Sequence, residues 1–196
     1  MSVFRLSLSL AASLVLASAC RIDTTDTGNR APMAPEVAIT PSSATTLDDL
    51  VVEFVTESVD ADDDEVMYRY EWRVDGSVQT MTGDTVTADM TSKGELWQVT
   101  VTATDGERDS EPAMASLTIG NAAPAIGNVT ITPDAPKATD TLQCIAQDVL
   151  DPDGEPTNVS YRWTVDGAPN AVTENTLDPK FFARGQEVVC SAIAND

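Results

Sequence analysis

The chain has 196 residues, and its 11 Lys and Arg stand against 32 Asp and Glu, a formal net charge of −21. Such a surface repels nucleic acid and anionic head groups, because proteins that bind those neutralise phosphates with Lys and Arg, so no nucleic-acid partner is expected. The complete absence of histidine excludes Ser-His-Asp and Cys-His arrangements, HExxH zinc helices and imidazole acid–base chemistry.

The first twenty residues, MSVFRLSLSLAASLVLASAC, carry one basic residue (Arg5), an apolar run from Leu6 to Leu16, and small residues up to Cys20. That is the pattern of an export signal, too short for an ordinary spanning helix. The ending LASAC resembles the bacterial lipobox, in which cleavage precedes a cysteine that carries diacylglycerol. The resemblance implies a signal peptide over 1–19 and lipid attachment at Cys20. Ala17 stands where that motif most often has leucine, and ordinary cleavage after Ala19 is the alternative. The several acyl chains of a mature lipoprotein anchor stably where one chain does not. Arg21, not Asp, follows the cysteine; by resemblance to enteric sorting rules this favours the outer membrane. The expected place is therefore the bacterial cell envelope, with the membrane as partner through the lipid. Residues 20–34, rich in Thr, Asp, Gly and Pro, read as a flexible stalk.

From there the apolar period is two, which means strands. Leu50, Val52 and Phe54 form one inward set. Val66, Tyr68, Tyr70, Trp72 and Val74 form the next, alternating with Met67, Arg69, Glu71 and Arg73. Trp97, Val99, Val101 and Ala103 supply a third, with Gln98, Thr100 and Thr102 outward. Turn signals at Asp75-Gly76, 82–84 and Asp105-Gly106 separate them, and AMASLTI (113–119) reads as a last strand. No helical period is convincing after the leader.

The same pattern is then written again. Residues 60–105 align without a gap on 151–196: Tyr70-Glu71-Trp72 falls on Tyr161-Arg162-Trp163, and Val74-Asp75-Gly76 on Val165-Asp166-Gly167. Upstream, one deletion lays AITPSSATTLDDL over TITPDAPKATDTL. NRAP (29–32) and NAAP (121–124) precede the two units. Two homologous domains follow, 35–120 and 121–196. The second stops at Asp196, in the turn matching Asp105, so its last strand is missing from the pattern. Under the alignment Cys144 lies over Val52 and Cys190 over Val99, both inward positions.

An acidic DxDG turn, then YxWxVDG, then VTVTATDG, resembles the PKD-like and Ig-like repeats of bacterial surface proteins over residues 31–196. The family's WDFGDG is here WRVDG and WTVDG, and the antibody tyrosine corner is replaced by Trp97 and Val188. The resemblance implies an all-β chain: two tandem immunoglobulin-like (PKD-like) β-sandwich domains, the second lacking its last strand. It implies a disulfide from Cys144 to Cys190 between strands B and F, beside Trp163, with two free thiols as the alternative. Such a bond would stabilise by roughly 3–4 kcal/mol in the chain-entropy picture. It leaves Cys20 as the odd cysteine, which suits a lipid thioether.

In a sandwich of this kind the B–C loop lies at the end that receives the domain's own N-terminus. Asp151, Asp153 and Glu155 should then face the junction GNAAP, and Asp60, Asp62 and Asp64 the stalk, with Asp105 nearby. These carboxylates, with Asn121, suit a calcium ion stiffening the joint; a solvated turn capped by Asp is the alternative. An EF-hand does not fit, since Glu65 stands where its turn needs glycine. No other cofactor is expected. The expected function is a non-catalytic, membrane-anchored spacer or adhesion module with a protein or surface-glycan partner. The alternative is the N-terminal accessory region of a larger lipid-anchored hydrolase with its catalytic domain beyond residue 196.

Overall fold

Alternation drives the architecture. In the computed structural model, which describes residues 28–196, each run of alternating residues is a strand with its apolar set turned inward. The leader and Cys20 lie outside the described residues. The first unit contains β1 (Glu36–Thr40), β2 (Leu50–Thr56), β3 (Met67–Val74), β4 (Ser77–Val78), β5 (Thr85–Val86), β6 (Leu96–Thr104) and β7 (Ala113–Thr118). The second contains β8 (Ala125–Thr132), β9 (Leu142–Leu150), β10 (Asn158–Val165), β11 (Ala168–Asn170), β12 (Thr176–Leu177) and β13 (Val188–Asn195). The sheets run β1-β2-β5 and β4-β3-β6-β7 in the first unit, and β12-β9-β8 and β11-β10-β13 in the second. With antiparallel pairing throughout the named strands, the first unit has the A-B-E against C′-C-F-G arrangement of immunoglobulin-like sandwiches, and the described strands of the second repeat its A-B-E and C′-C-F parts. The chain is all-β, as its period indicates.

Register follows from the turns. Asp75 and Gly76 take φ of 47° and 82°, and Asp166 and Gly167 take 50° and 76°. Two consecutive left-handed residues make the tight hairpin that joins β3 to β4 and β10 to β11. Each Asp then fixes the neighbouring strand. Asp75 Oδ1 accepts from Leu96 N at 3.1 Å, and Asp166 Oδ1 accepts from Glu187 N at 2.9 Å. One hairpin aspartate thus sets where the F strand begins in both repeats.

Trp72 and Trp163 sit at the centre, 0% and 1% exposed. Burying indole requires a partner for its N–H. Trp72 Nε1 donates to Gly83 O at 2.9 Å, and Trp163 Nε1 to Glu174 O at 2.9 Å; these acceptors align in the repeat. Around Trp72 lie Ile39, Leu50, Val52, Val86, Trp97, Val99, Val101 and Ile119. The second core is thinner: Leu142, Cys144, Trp163 and Leu177 are its buried members. One cause is visible: Val188 replaces the bulk of Trp97.

A covalent link offsets the thin core. Cys144 on β9 and Cys190 on β13 are bonded, with Cα atoms 6.2 Å apart and a sequence separation of 46. The bond joins the two sheets where Val52 and Val99 meet in the first unit, so the expected pairing is the one observed. Reduction should therefore act on one unit only. With dithiothreitol, the second unit is expected to lose about 4 kcal/mol. The first unit's transition should stay in place, read by calorimetry as one transition moving away from the other. Equal movement of both would contradict this assignment.

Candidate functional site at the acidic turns

Each B–C turn is built by its first aspartate. Asp60 Oδ1 accepts from Asp62 N at 2.7 Å and Asp64 N at 3.4 Å. Asp151 Oδ1 accepts from Asp153 N at 2.8 Å and Glu155 N at 3.3 Å. This is the Asx-turn geometry in which a short carboxylate holds its own backbone two residues on. The fourth residue is left-handed in both, Asp63 with φ of 64° and Gly154 with φ of 76°. Both first aspartates are nearly sealed, 5% and 6% exposed. Their second oxygens, Asp60 Oδ2 and Asp151 Oδ2, are buried with no hydrogen-bond donor.

The third residue of each turn reaches the chain that enters its unit. Asp62 Oδ2 accepts from Arg30 N at 2.8 Å, and Asp153 Oδ2 accepts from Ala122 N at 2.8 Å. Arg30 and Ala122 hold the same position in NRAP and NAAP. So the segment expected to be stalk is, from Asn29 on, held against the first unit; Met33 N also donates to Val59 O at 3.0 Å.

Beyond this shared plan the turns diverge. In the second unit the carboxylates meet the body of the first. Asp153 Oδ1 accepts from the Thr46 hydroxyl, and Glu155 pairs with Lys93 at 2.5 Å. Hydrogen bonds from Thr46 and then Ala122 hold the Asp153 carboxyl below the usual carboxylate range. The hydrogen bond to Glu155 raises the Lys93 ammonium above the usual lysine range. That ion pair is over a third exposed on both sides, so water screens it and its role is mainly orientation. Asn121, expected among the ligands, is exposed.

In the first unit the carboxylates meet one another. Asp62, Asp64, Asp105 and Glu107 line a cleft of about 370 Å³ with Gly28 and Asn29. Asn29 Nδ2 donates to Asp105 Oδ2 at 2.9 Å and Glu107 Oε2 at 3.4 Å, leaving Asn29 Oδ1 buried without a donor. No ion pair among the described residues reaches these acids. Burial, then the charges of Asp60, Asp105, Asp62 and Glu107, push the Asp64 carboxyl up. Hydrogen bonds from Arg108 N and Glu107 N, with Asn29, hold Asp105 low instead. Among the described residues no group of three or more His, Cys, Asp or Glu side chains is placed to hold a metal ion.

The structure places Asp60, Asp62 and Asp64 on one B–C turn and Asp151, Asp153 and Glu155 on the other, with Asp60 and Asp151 turned into their own loops. The sequence missed Thr46 and Lys93, which lie on loops of the neighbouring unit, and it missed Asn29 and Glu107. The repeated Asn of NRAP and NAAP was the available signal for Asn29.

No family model matches the chain, and no curated protein does. Among solved structures it is similar to the chicken CNTN1 FN1–FN3 domains, at 10% identity over 86% of this chain, with a TM-score of 0.33. The chain spans 60% of that structure's length, and at such a score the likeness carries no argument. The strand order itself defines the class: a tandem of immunoglobulin-like sandwiches.

The lowered Asp153 value gives a pH sign. Its contribution is present above the unfolded value and is lost as pH falls through the folded one. The Lys93 contribution runs oppositely and is lost only as pH rises through its raised value. The joint should thus hold unchanged between about pH 5 and 9 and open in acid. Small-angle scattering should show a wider spread of end-to-end distances at low pH, and the same spread at neutral pH for Asp153→Ala. A joint insensitive to both would contradict the geometry.

Proposed function

We propose that the chain is a non-catalytic, membrane-anchored module of the bacterial cell envelope, acting as a spacer or interaction element. The observation that carries this reading is the direct seating of the second sandwich on the first, through Asp153 with Thr46 and Ala122, and Glu155 with Lys93. Such a joint transmits position. The anchor in this reading is lipid on Cys20, at the outer membrane, and the leader over 1–19 is removed. Replacing Cys20 by Ala should release the protein from the membrane fraction and lower its intact mass by the lipid. Retention of the variant at the membrane would overturn the anchor.

Calcium belongs to the same reading as a stiffener at the acidic turns. Asp60, Asp62 and Asp64, joined by Asn29, Asp105 and Glu107, would supply the oxygen ligands that calcium takes once their side chains closed on one point. The buried, donorless Asp60 Oδ2 and Asn29 Oδ1 are the atoms that fit it best. At Asp151, Asp153 and Glu155 calcium would compete with Lys93, so the first turn is the stronger site. Affinity is expected on the order of 10⁻⁴–10⁻³ M, as in extracellular modules.

Linkage again supplies a discriminating sign. A raised Asp64 value means stability that is present below the unfolded value and lost as pH rises through the folded one. At neutral pH without divalent ions, Asp64→Asn should therefore melt at or above the parent. Millimolar calcium should raise the parent's first-unit transition and move the variant's less. No calcium-dependent rise in the parent would remove calcium from the account.

A further inference from the structure

The outward face of the first unit's larger sheet is laid out by the register of β3, β6 and β7. Arg73 lies opposite Gln98, and Gln98 opposite Ser116. One step along, Glu71 lies opposite Thr100, and Thr100 opposite Met114; beyond that, Arg69 lies opposite Thr102. Residues that face one another across a ladder stand on the same side of the sheet. Glu71, Arg73, Gln98, Thr100, Met114 and Ser116 line a cleft of about 560 Å³ there. A second cleft of about 290 Å³, reached by Arg69 and Thr102, shares Glu71 and Thr100 with the first. Together they make a trough from Gln98 to Thr102, roughly 13 Å long at about 3.3 Å per strand residue. Half-buried Gln98, Thr100 and Thr102 form its floor, and Met114, 66% exposed, stands on one flank.

This face departs from the charge of the chain as a whole. Arg73 Nε donates to Glu71 Oε1 at 2.9 Å, and Arg69 pairs with Asp109. Those four charges cancel, on a chain whose net charge is −21. The outward residues of β2 in the opposite sheet are Val51, Glu53 and Val55, with no cation among them. The Arg73 guanidinium also donates to Gly76 O at 3.3 Å, which ties it to the β3–β4 hairpin. Arg73 engages Glu71 through Oε1, so Oε2 remains an acceptor beside the Gln98 amide and the Thr100 and Ser116 hydroxyls.

We propose that this trough binds a neutral polysaccharide laid along β6. Sugar hydroxyls exchange hydrogen bonds with Glu71, Gln98, Thr100 and Ser116, and the flexible Met114 side chain covers the C–H face of a ring. The face selects that chemistry over others. An anionic polymer is repelled by the rest of the chain, and a cationic one finds no net negative charge here. A protein partner needs a desolvated aromatic or apolar anchor at the centre of the contact, where Gln98 and Thr100 stand instead. Without an aromatic platform a single face binds weakly, and copies held side by side gain through multivalency. The proposal deepens the interaction reading above and depends neither on the anchor nor on calcium.

The test titrates the ¹⁵N-labelled full chain, in a zwitterionic detergent without a sugar head group, with maltohexaose, cellohexaose and chitohexaose. Polygalacturonate serves as the anionic control. Saturable amide shifts are expected with at least one neutral hexasaccharide, confined to residues 69–73, 98–102 and 114–116. The Gln98 side-chain amide should shift with them, since it reports contact directly. Gln98→Ala and Met114→Ala should each weaken binding about fivefold, the scale of one lost hydrogen bond or packing contact, with the first unit's melting unchanged. Thr100→Val, which keeps the shape and removes only the hydroxyl, should weaken it too and covers the case in which a truncation disturbs folding. No shift on this face with any of the three sugars, tighter binding of polygalacturonate, or equal affinity of the parent and all three variants would each overturn the proposal. Such a result would leave the joint and the anchor standing, since scattering and membrane fractionation read those separately.

Discussion

The structure depends on one short-range bond pattern: an aspartate at the start of the B–C loop that accepts the backbone N–H groups two and four residues on. This turn aims the next carboxylate at the chain entering the unit. Asp62 finds Arg30 N and Asp153 finds Ala122 N. Without it, each sandwich would still bury its tryptophan, but its direction relative to the preceding segment would be set by the linker alone. A carboxylate suits the task because hydrogen bonds to an ionised acceptor are about twice as strong as neutral ones.

Once that turn is made, the two copies are free to specialise, and they have done so through a few substitutions. Where the first unit gathers carboxylates that repel, the second sets its own against Thr46 and Lys93 of its neighbour. Where the first fills its core with Trp97, the second has Val188 and a disulfide. A valine in place of a buried indole removes less apolar surface from water, and a cross-link offsets that by restricting the unfolded chain.

What was legible in the sequence followed from short-range rules. Period-two alternation located Trp72, Val99 and Trp163 in their cores, because a strand can only turn alternate residues inward. The disulfide was readable because each cysteine aligns with an inward valine of the other repeat. The hairpins at Asp75-Gly76 and Asp166-Gly167 were readable because few residues tolerate two left-handed positions. Thr46 and Lys93 were not, since they lie 107 and 62 residues from their partners and meet them only after both units have folded. The packing of Asn29 to Pro35 on the first unit was likewise hidden. Its composition is that of a linker, and what orders it is a set of acceptors on a turn about thirty residues away.

The central claim is that the acidic turn of the second sandwich fixes its orientation on the first. Backbone ¹⁵N relaxation of the two units at neutral pH measures this directly. The account predicts one shared, anisotropic tumbling time for residues 36–118 and 125–195. Two separate, faster tumbling times, one for each sandwich, would show that the bonds from Asp153 and Glu155 do not hold the units together, and the account would fail.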